Sequence, residues 1–168
     1  FINFSFCQKR DTEWAKADYE VATEQFKLSS SEKPIFVPEK GNINLNETAD
    51  ALVVKGERFE AVFSKEEGTL SAYTLNNIPL ISKGLELNLF RAPTDNDKQV
   101  SGDWQRKGLY QLQAETGKWE THQEEDRITL HIRNCHKGKL GFEYRTEIEY
   151  TVNADGSIMV NSVIMPVS

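Results

Sequence analysis

Phe142-Glu143-Tyr144-Arg145-Thr146-Glu147-Ile148-Glu149-Tyr150-Thr151-Val152 is the stretch that decides the fold. Aromatic or aliphatic side chains fall at positions 142, 144, 148, 150 and 152, with mostly charged residues between them. A period of two puts the apolar set on one face of an extended chain, so the segment reads as a half-buried strand. Asn153-Ala154-Asp155-Gly156 then supplies a turn, and Ile158-Met159-Val160-Asn161-Ser162-Val163-Ile164 supplies the returning strand.

The same pattern spreads outward from this hairpin. Arg127-Ile128-Thr129-Leu130-His131-Ile132 alternates just before it. Residues 51–55 and 59–63 flank Gly56 as a second hairpin. Residues 69–75 run into Asn76-Asn77, a dipeptide that tolerates positive φ. Ile78-Pro79-Leu80-Ile81 suits a sheet edge, because Pro cannot donate to a ladder. Leu85-Glu86-Leu87-Asn88-Leu89 alternates strictly and is expected to be a strand. Near the N-terminus, residues 1–28 read as two strands with a loop at 9–12 and a short helical or irregular piece at 14–18, followed by linker-like Ser29-Ser30-Ser31-Glu32-Lys33-Pro34. In the central part the one helix expected runs from Ser101 to Lys107 or Tyr110, with Ser101 as its N-cap and Gly108 as its breaker. Many short alternating strands joined by turns imply an all-β fold, an antiparallel β-sandwich.

Composition narrows the function classes. The chain has 168 residues, 38% hydrophobic and 27% charged, and carries a net charge of −6. It has no basic stripe, so neither nucleic acid nor an anionic membrane is an expected partner. No apolar run approaches the length that spans a bilayer. Cys7 and Cys135 lie far apart in strand-like contexts and are expected to be reduced and buried. Phe1-Ile2-Asn3-Phe4-Ser5-Phe6 already alternates at the first residue, which reads as a piece cut from a longer polypeptide.

Most chemistry-bearing patterns are missing. His122, His131 and His136 show none of the tight spacings that bind metal, so no metal site is expected. Gln123-Glu124-Glu125-Asp126 is a charge run before a strand and reads as a solvated turn. Asn46-Glu47-Thr48 matches a glycosylation sequon.

The dense segment is Leu89-Phe90-Arg91-Ala92-Pro93-Thr94-Asp95-Asn96-Asp97. It is either a self-satisfied corner or a platform for ligand chemistry. Glycosidases need two carboxylates about 5 to 9.5 Å apart, and Asp95 and Asp97 share one loop. Arg91 and Asn96, however, are placed to pin both acids as ionised, hydrogen-bonded groups. Beyond lies Lys98-Gln99-Val100-Ser101-Gly102-Asp103-Trp104. Its Trp104 either stacks on the apolar face of a sugar or caps the core under a surface helix.

Arg91-Ala92-Pro93-Thr94-Asp95-Asn96-Asp97, after an apolar strand and before a short Trp-containing helix, resembles a signature of bacterial β-galactosidases of glycoside hydrolase family 2. Trp104-Gln105-Arg106-Lys107-Gly108-Leu109-Tyr110 is similar to the family's helix after that motif. Gly138-Lys139-Leu140, Arg145-Thr146 and Tyr150-Thr151-Val152 are similar to the strands that follow, and Thr12-Glu13-Trp14-Ala15 with Gln25-Phe26-Lys27-Leu28 resembles the end of a preceding immunoglobulin-like domain.

The resemblance implies residues 1–30 as the last strands of an immunoglobulin-like sandwich, 31–43 as a linker, and 44–168 as the first part of the C-terminal small-chain domain, a supersandwich. It also implies a non-catalytic piece of an enzyme that hydrolyses terminal β-D-galactosides with retention. The catalytic Glu pair of such enzymes stands on a separate (β/α)₈ barrel, so no catalytic residue is expected here. The piece would buttress that barrel and supply a loop near the sugar from Lys98, Gln99, Val100, Ser101 and Trp104. Arg91, Asp95, Asn96 and Asp97 would be structural. Gln99 stands where the family has Gly and resists the backbone angles a Gly hinge permits. Mg²⁺ and Na⁺ serve the parent family, but no cofactor is assigned to this chain. Expected partners are the rest of the enzyme chain and a galactoside, with a homo-oligomer allowed; the compartment stays open between bacterial cytoplasm and periplasm. A truncated sandwich exposes an apolar face and free edges, so association of copies is expected. The alternative reading is a stand-alone carbohydrate-binding or interaction β-sandwich.

Overall fold

Alternating side chains carry almost all of the regular structure in the computed structural model, which describes residues 1–28 and 36–167. The Ser-rich stretch of the expected linker lies outside the described residues. The chain divides into two units, Phe1–Val37 and Pro38–Ser168.

In the first unit, β1 (Ile2–Cys7) pairs antiparallel with β2 (Glu20–Phe26), and the register shifts between Phe6 and Cys7. Residues 14–18 are irregular rather than helical. Asp11 organises this connection by accepting from Lys16 Nζ at 2.7 Å and from the Ala17 amide at 2.9 Å. A two-stranded ribbon cannot bury a face. Phe4, Phe6, Val21 and Phe26 are accordingly exposed, with Phe4 and Phe26 touching edge to face at 5.8 Å. Cys7 is a free thiol but an exposed one, which corrects the expectation of burial: among the described residues no second layer covers its strand.

The second unit is a sandwich of two antiparallel sheets. One has five strands in chain order: β3 (Asn44–Glu47), β4 (Ala51–Lys55), β5 (Phe59–Ser64), β6 (Thr69–Leu75) and β7 (Ile78–Ile81). The other has four, β8 (Gln113–Gln123), β9 (Arg127–Lys137), β10 (Glu143–Asn153) and β11 (Ile158–Val167), in the order β11-β10-β9-β8. Asn76 and Asn77 take φ values of 50° and 63° in the β6–β7 turn, as their side chains permit. Pro79 sits in the edge strand β7.

The core forms where the inward positions of both sheets meet. Leu52, Val54, Phe59, Ala61, Phe63 and Leu70 from the first pack with Ile128, Leu130, Ile132, Tyr150 and Val152 from the second. Register aligns Ile132 with Ile148, Leu130 with Tyr150 and Ile128 with Val152, so β9 and β10 present one continuous apolar face. Tyr150 lies edge to face on Phe63 at 5.1 Å, and its hydroxyl meets Thr69 Oγ1 at 3.1 Å, which satisfies a polar group otherwise costly to bury. At one end Tyr73 donates to the Gly156 carbonyl at 2.6 Å across the sheets. At the other end the sheets part around a cavity of about 490 Å³, lined by Gly68, Leu85, Leu87, His136, Thr146 and Ile164 among others.

Two expectations fail here for physical reasons, and one strand was missed. Residues 84–94 form no strand, although Leu85–Leu89 alternates. Gly84 packs so closely on β6 that a Cβ there would lie 2.0 Å from the Leu70 carbonyl oxygen, and Leu85 is held by Thr69 Oγ1 donating to its carbonyl at 3.1 Å. The segment pairs with no strand among the described residues. Strand β8 gives no clean sequence signal, because it is an exposed edge with few apolar residues and a register shift between Thr116 and Trp119. The helix α1 spans Ser101–Arg106, and its N-cap is Val100 rather than Ser101. No helix among the described residues is long and apolar enough to cross a membrane.

Candidate functional site

The corner begins where residues 84–94 leave the sandwich. Phe90 ends the apolar run, and its amide donates to Asn88 Oδ1 at 2.9 Å. Pro93 then holds the chain extended into Thr94, whose φ and ψ are −94° and 176°. From there Asp95–Asp97 form one 3₁₀ turn.

Asp97 is the hub. Its carboxylate accepts from the Thr94 amide at 2.7 Å and the Thr94 hydroxyl at 2.8 Å. Arg91 grips both oxygens, with Nη1 to Oδ2 at 2.7 Å and Nη2 to Oδ1 at 2.8 Å. A two-pronged guanidinium–carboxylate pair fixes direction as well as distance. The Thr94 amide, then the Thr94 hydroxyl and Arg91, hold the Asp97 carboxyl below the usual carboxylate range. Although polar, Asp97 is only 7% exposed.

Asp95 does not join this hub. Its side chain is 93% exposed and pairs with Lys98 alone, at 3.2 Å, so the two acids do not face one space. Asn96 lies exposed between them. The sequence signal that separates the acids is Thr94-x-x-Asp97, a capping spacing in which residue and partner stand three apart. Thr94 is the residue that a reading by charge alone overlooks.

The corner launches the next segment. The Val100 amide donates to the Asp97 carbonyl at 2.9 Å, and the Asp103 amide to the Val100 carbonyl at 3.0 Å. Lys98, Gln99 and Val100 are exposed, while Ser101 is half-buried in the first turn of α1. Asp103 and Arg106 pair along α1. Gly108, with φ of +70°, ends the helix, and the Lys139 amide donates to the Lys107 carbonyl at 2.7 Å. The helix is thereby tied to the β9–β10 connection.

Trp104 is half-buried and already has neighbours. The Arg91 guanidinium carbon lies 5.6 Å from its ring centre, and Phe90 meets it edge to face at 6.5 Å. Phe90 also contacts Tyr110 at 6.1 Å, and Lys139 Nζ lies 5.8 Å over the Tyr110 ring. One face of Trp104 is therefore covered by a cation, which leaves less of the ring for a sugar. Arg91 joins Asp97 to Trp104, and that single side chain couples the corner to the helix.

The three histidines are dispersed. His122 and His131 stand near Glu124 and Glu149 on the outer face, at 3.7 and 3.4 Å. His136 is buried against Thr146 Oγ1 at 3.0 Å, and burial pushes its pKa down. Among the described residues no group of three or more His, Cys, Asp or Glu side chains is placed to hold a metal ion.

Comparison with known proteins completes this picture. Residues 55–167 match the family of the β-galactosidase small chain, and residues 1–29 match domain 4 of β-galactosidase. The chain is 27% identical to a β-galactosidase of Priestia megaterium over 98% of its own length, and 28% identical to one of Pseudoalteromonas haloplanktis over 96%. A third relative, a β-galactosidase of Psychromonas ingrahamii, is 34% identical over 58% of the chain. The chain spans only 16% and 17% of the first two relatives. With its corner, its helix and most of its sandwich inside the matched span, the chain belongs to the β-galactosidase small-chain family.

Proposed function

We propose that this chain serves as a non-catalytic part of a β-galactosidase, which hydrolyses terminal β-D-galactosides with retention. In that role the sandwich buttresses the catalytic domain, and residues 98–104 form a wall of the galactoside site. The observation that carries the reading is the Arg91–Asp97–Thr94 hub. It spends its acid on holding the backbone and leaves Lys98, Gln99 and Val100 projecting from a fixed base. A carboxylate so fully engaged is a poor proton donor at neutral pH, and its neighbour Asp95 points elsewhere. Neither acid is suited to the paired chemistry of a glycosidase.

Two measurements test this. The purified chain, offered a chromogenic β-galactoside, is expected to give no turnover, and turnover is expected only when the remainder of a β-galactosidase is supplied in trans. Hydrolysis by the chain alone would refute the reading. In a complete enzyme carrying this segment, Gln99→Ala and Val100→Ala should raise KM or lower kcat while leaving the melting temperature in place. If both parameters are unchanged, residues 98–104 do not wall the sugar site.

A further inference from the structure

Helix α1 has only six residues, too few to hold a helical shape in water without outside support. Its N-terminal side hangs from the corner, where the Val100 amide meets the Asp97 carbonyl at 2.9 Å. Its C-terminal side rests on the connection between β9 and β10, residues 138–142, far along the chain. That connection is closed by its own bonds. The Gly138 amide donates to the Phe142 carbonyl at 2.8 Å, and the Phe142 amide to the Lys139 carbonyl at 3.1 Å. Leu140 and Gly141 between them take φ values of 55° and 75°, the pair of positive angles found in a type I′ turn.

Helix and turn meet backbone to backbone. The Lys139 amide donates at 2.7 Å to the carbonyl of Lys107, the C-cap of α1. A Cβ on Gly138 would lie 2.3 Å from that same oxygen, so only glycine admits this approach. The φ of Gly138 is not positive, so the glycine serves the contact and not a special backbone angle. Side chains repeat the tie. Lys139 Nζ lies 5.8 Å from the centre of the Tyr110 ring, Tyr110 meets Phe90 at 6.1 Å, and Phe90 meets Trp104 at 6.5 Å. Lys107 Nζ in turn lies 5.9 Å from the centre of the Phe142 ring.

We infer that Gly138 and Lys139 are positioning residues for segment 98–104, holding α1 from its C-terminal end while the Asp97 hub holds it from the other. One anchor alone leaves a short helix free to swing about it. Two anchors fix its direction as well as its place, and with it the exposed residues Lys98, Gln99 and Val100. Both residues act through others, Gly138 through the Lys107 carbonyl and Lys139 through Tyr110 as well. Their bearing on the sugar rests on the reading that segment 98–104 walls the galactoside site.

Amide exchange on the 168-residue chain tests the tie. Gly138→Ala should speed exchange at residues 101–106 by about tenfold or more, with Leu130, Ile132 and Tyr150 keeping their wild-type rates. Lys139→Ala should speed it less, because the backbone bond to Lys107 remains. Lys139→Arg should hold the wild-type rate, since it keeps a cation over Tyr110. Unchanged exchange at 101–106 in Gly138→Ala overturns the inference. Where Gly138→Ala loosens the core as well, the Lys139 pair decides, and equal exchange in its alanine and arginine variants overturns it. In a complete enzyme carrying this segment, Gly138→Ala should move the same parameter, KM or kcat, that Gln99→Ala and Val100→Ala move, and Lys139→Arg should move neither. If Gln99→Ala changes the kinetics and Gly138→Ala does not, the positioning role is overturned. If all three are silent, segment 98–104 does not wall the sugar, and exchange alone judges the tie.

Discussion

Around Tyr150, side chains from five strands share the burial of one apolar layer; around Asp97, one carboxylate gathers almost every bond that shapes the corner. The core is redundant in its contacts, since each residue touches many others and the layer relaxes only partly around a loss. The corner has no such redundancy, yet it carries little of the fold's total stability because it lies at the surface. A region can thus be sharply defined in geometry and still contribute little to global stability.

Breaking the core should have the largest effect. Phe63→Ala removes a fully buried ring from beneath Tyr150 and should cost about 3–5 kcal/mol. Urea unfolding followed by circular dichroism measures it. A loss of under about 1 kcal/mol would mean that the sheets do not rely on this contact.

Arg91→Ala comes next. It frees Asp97 and uncovers Trp104 together, so amide exchange at residues 94–104 should rise while the unfolding midpoint moves far less than for Phe63→Ala. If both variants shift the midpoint equally, the contrast between core and corner collapses. Arg91→Lys should behave almost like the alanine variant, because an ammonium cannot hold both carboxylate oxygens and cover the ring.

Acid should separate the regions by pH. His136 has a lowered pKa in the folded chain. The unfolded chain therefore binds its proton first as pH falls below about 6.5, and stability should decline from that point downward. The sign for Asp97 differs in position. Its carboxyl is also lowered, so its contribution is complete above about 3.9 and is lost only as pH falls through the folded value. Melting temperatures at mildly acidic pH should thus be reduced in wild type and restored toward neutral values in His136→Phe. No such restoration would remove His136 as the cause.

The smallest effect should come from Asp95→Asn, which leaves the Thr94, Asp97 and Arg91 contacts in place. Unchanged exchange across residues 94–104 is expected, and any loosening there would show that Asp95 braces the corner after all.

How far each region could be read from the residues follows from how each is specified. The core was legible because strand alternation is local: residues 128, 130, 132, 148, 150 and 152 announce their shared face without reference to any partner. Strand β8 was not legible, since an edge need not be apolar on either face and its Trp119 comes after a shift in register. Leu85–Leu89 misled for the converse reason. Alternation there belongs to a segment that borders the inter-sheet cavity with Leu85 and Leu87, and no strand lies beside it among the described residues to complete a ladder. In the corner, Arg91 and Asp97 could be paired by charge, but the division between Asp95 and Asp97 depended on the three-residue reach of Thr94. The coupling of Arg91 to Trp104 spans thirteen positions and has no local sign.

The hydrogen bond from Tyr73 to Gly156 places a fulcrum at one end of the sandwich. A side chain on Gly156 would begin within 2.8 Å of the Tyr73 hydroxyl and 3.0 Å of the Phe59 ring, so no spacer can enter there. The β10–β11 turn of one sheet is therefore pinned directly to β6 of the other, and the spacing of the layers at this end is set by the absence of a side chain at residue 156. A second tie, Asn134 Nδ2 donating to the Gly68 carbonyl at 2.8 Å, joins the sheets near their other end, so a side chain at either glycine would have to wedge the two layers apart.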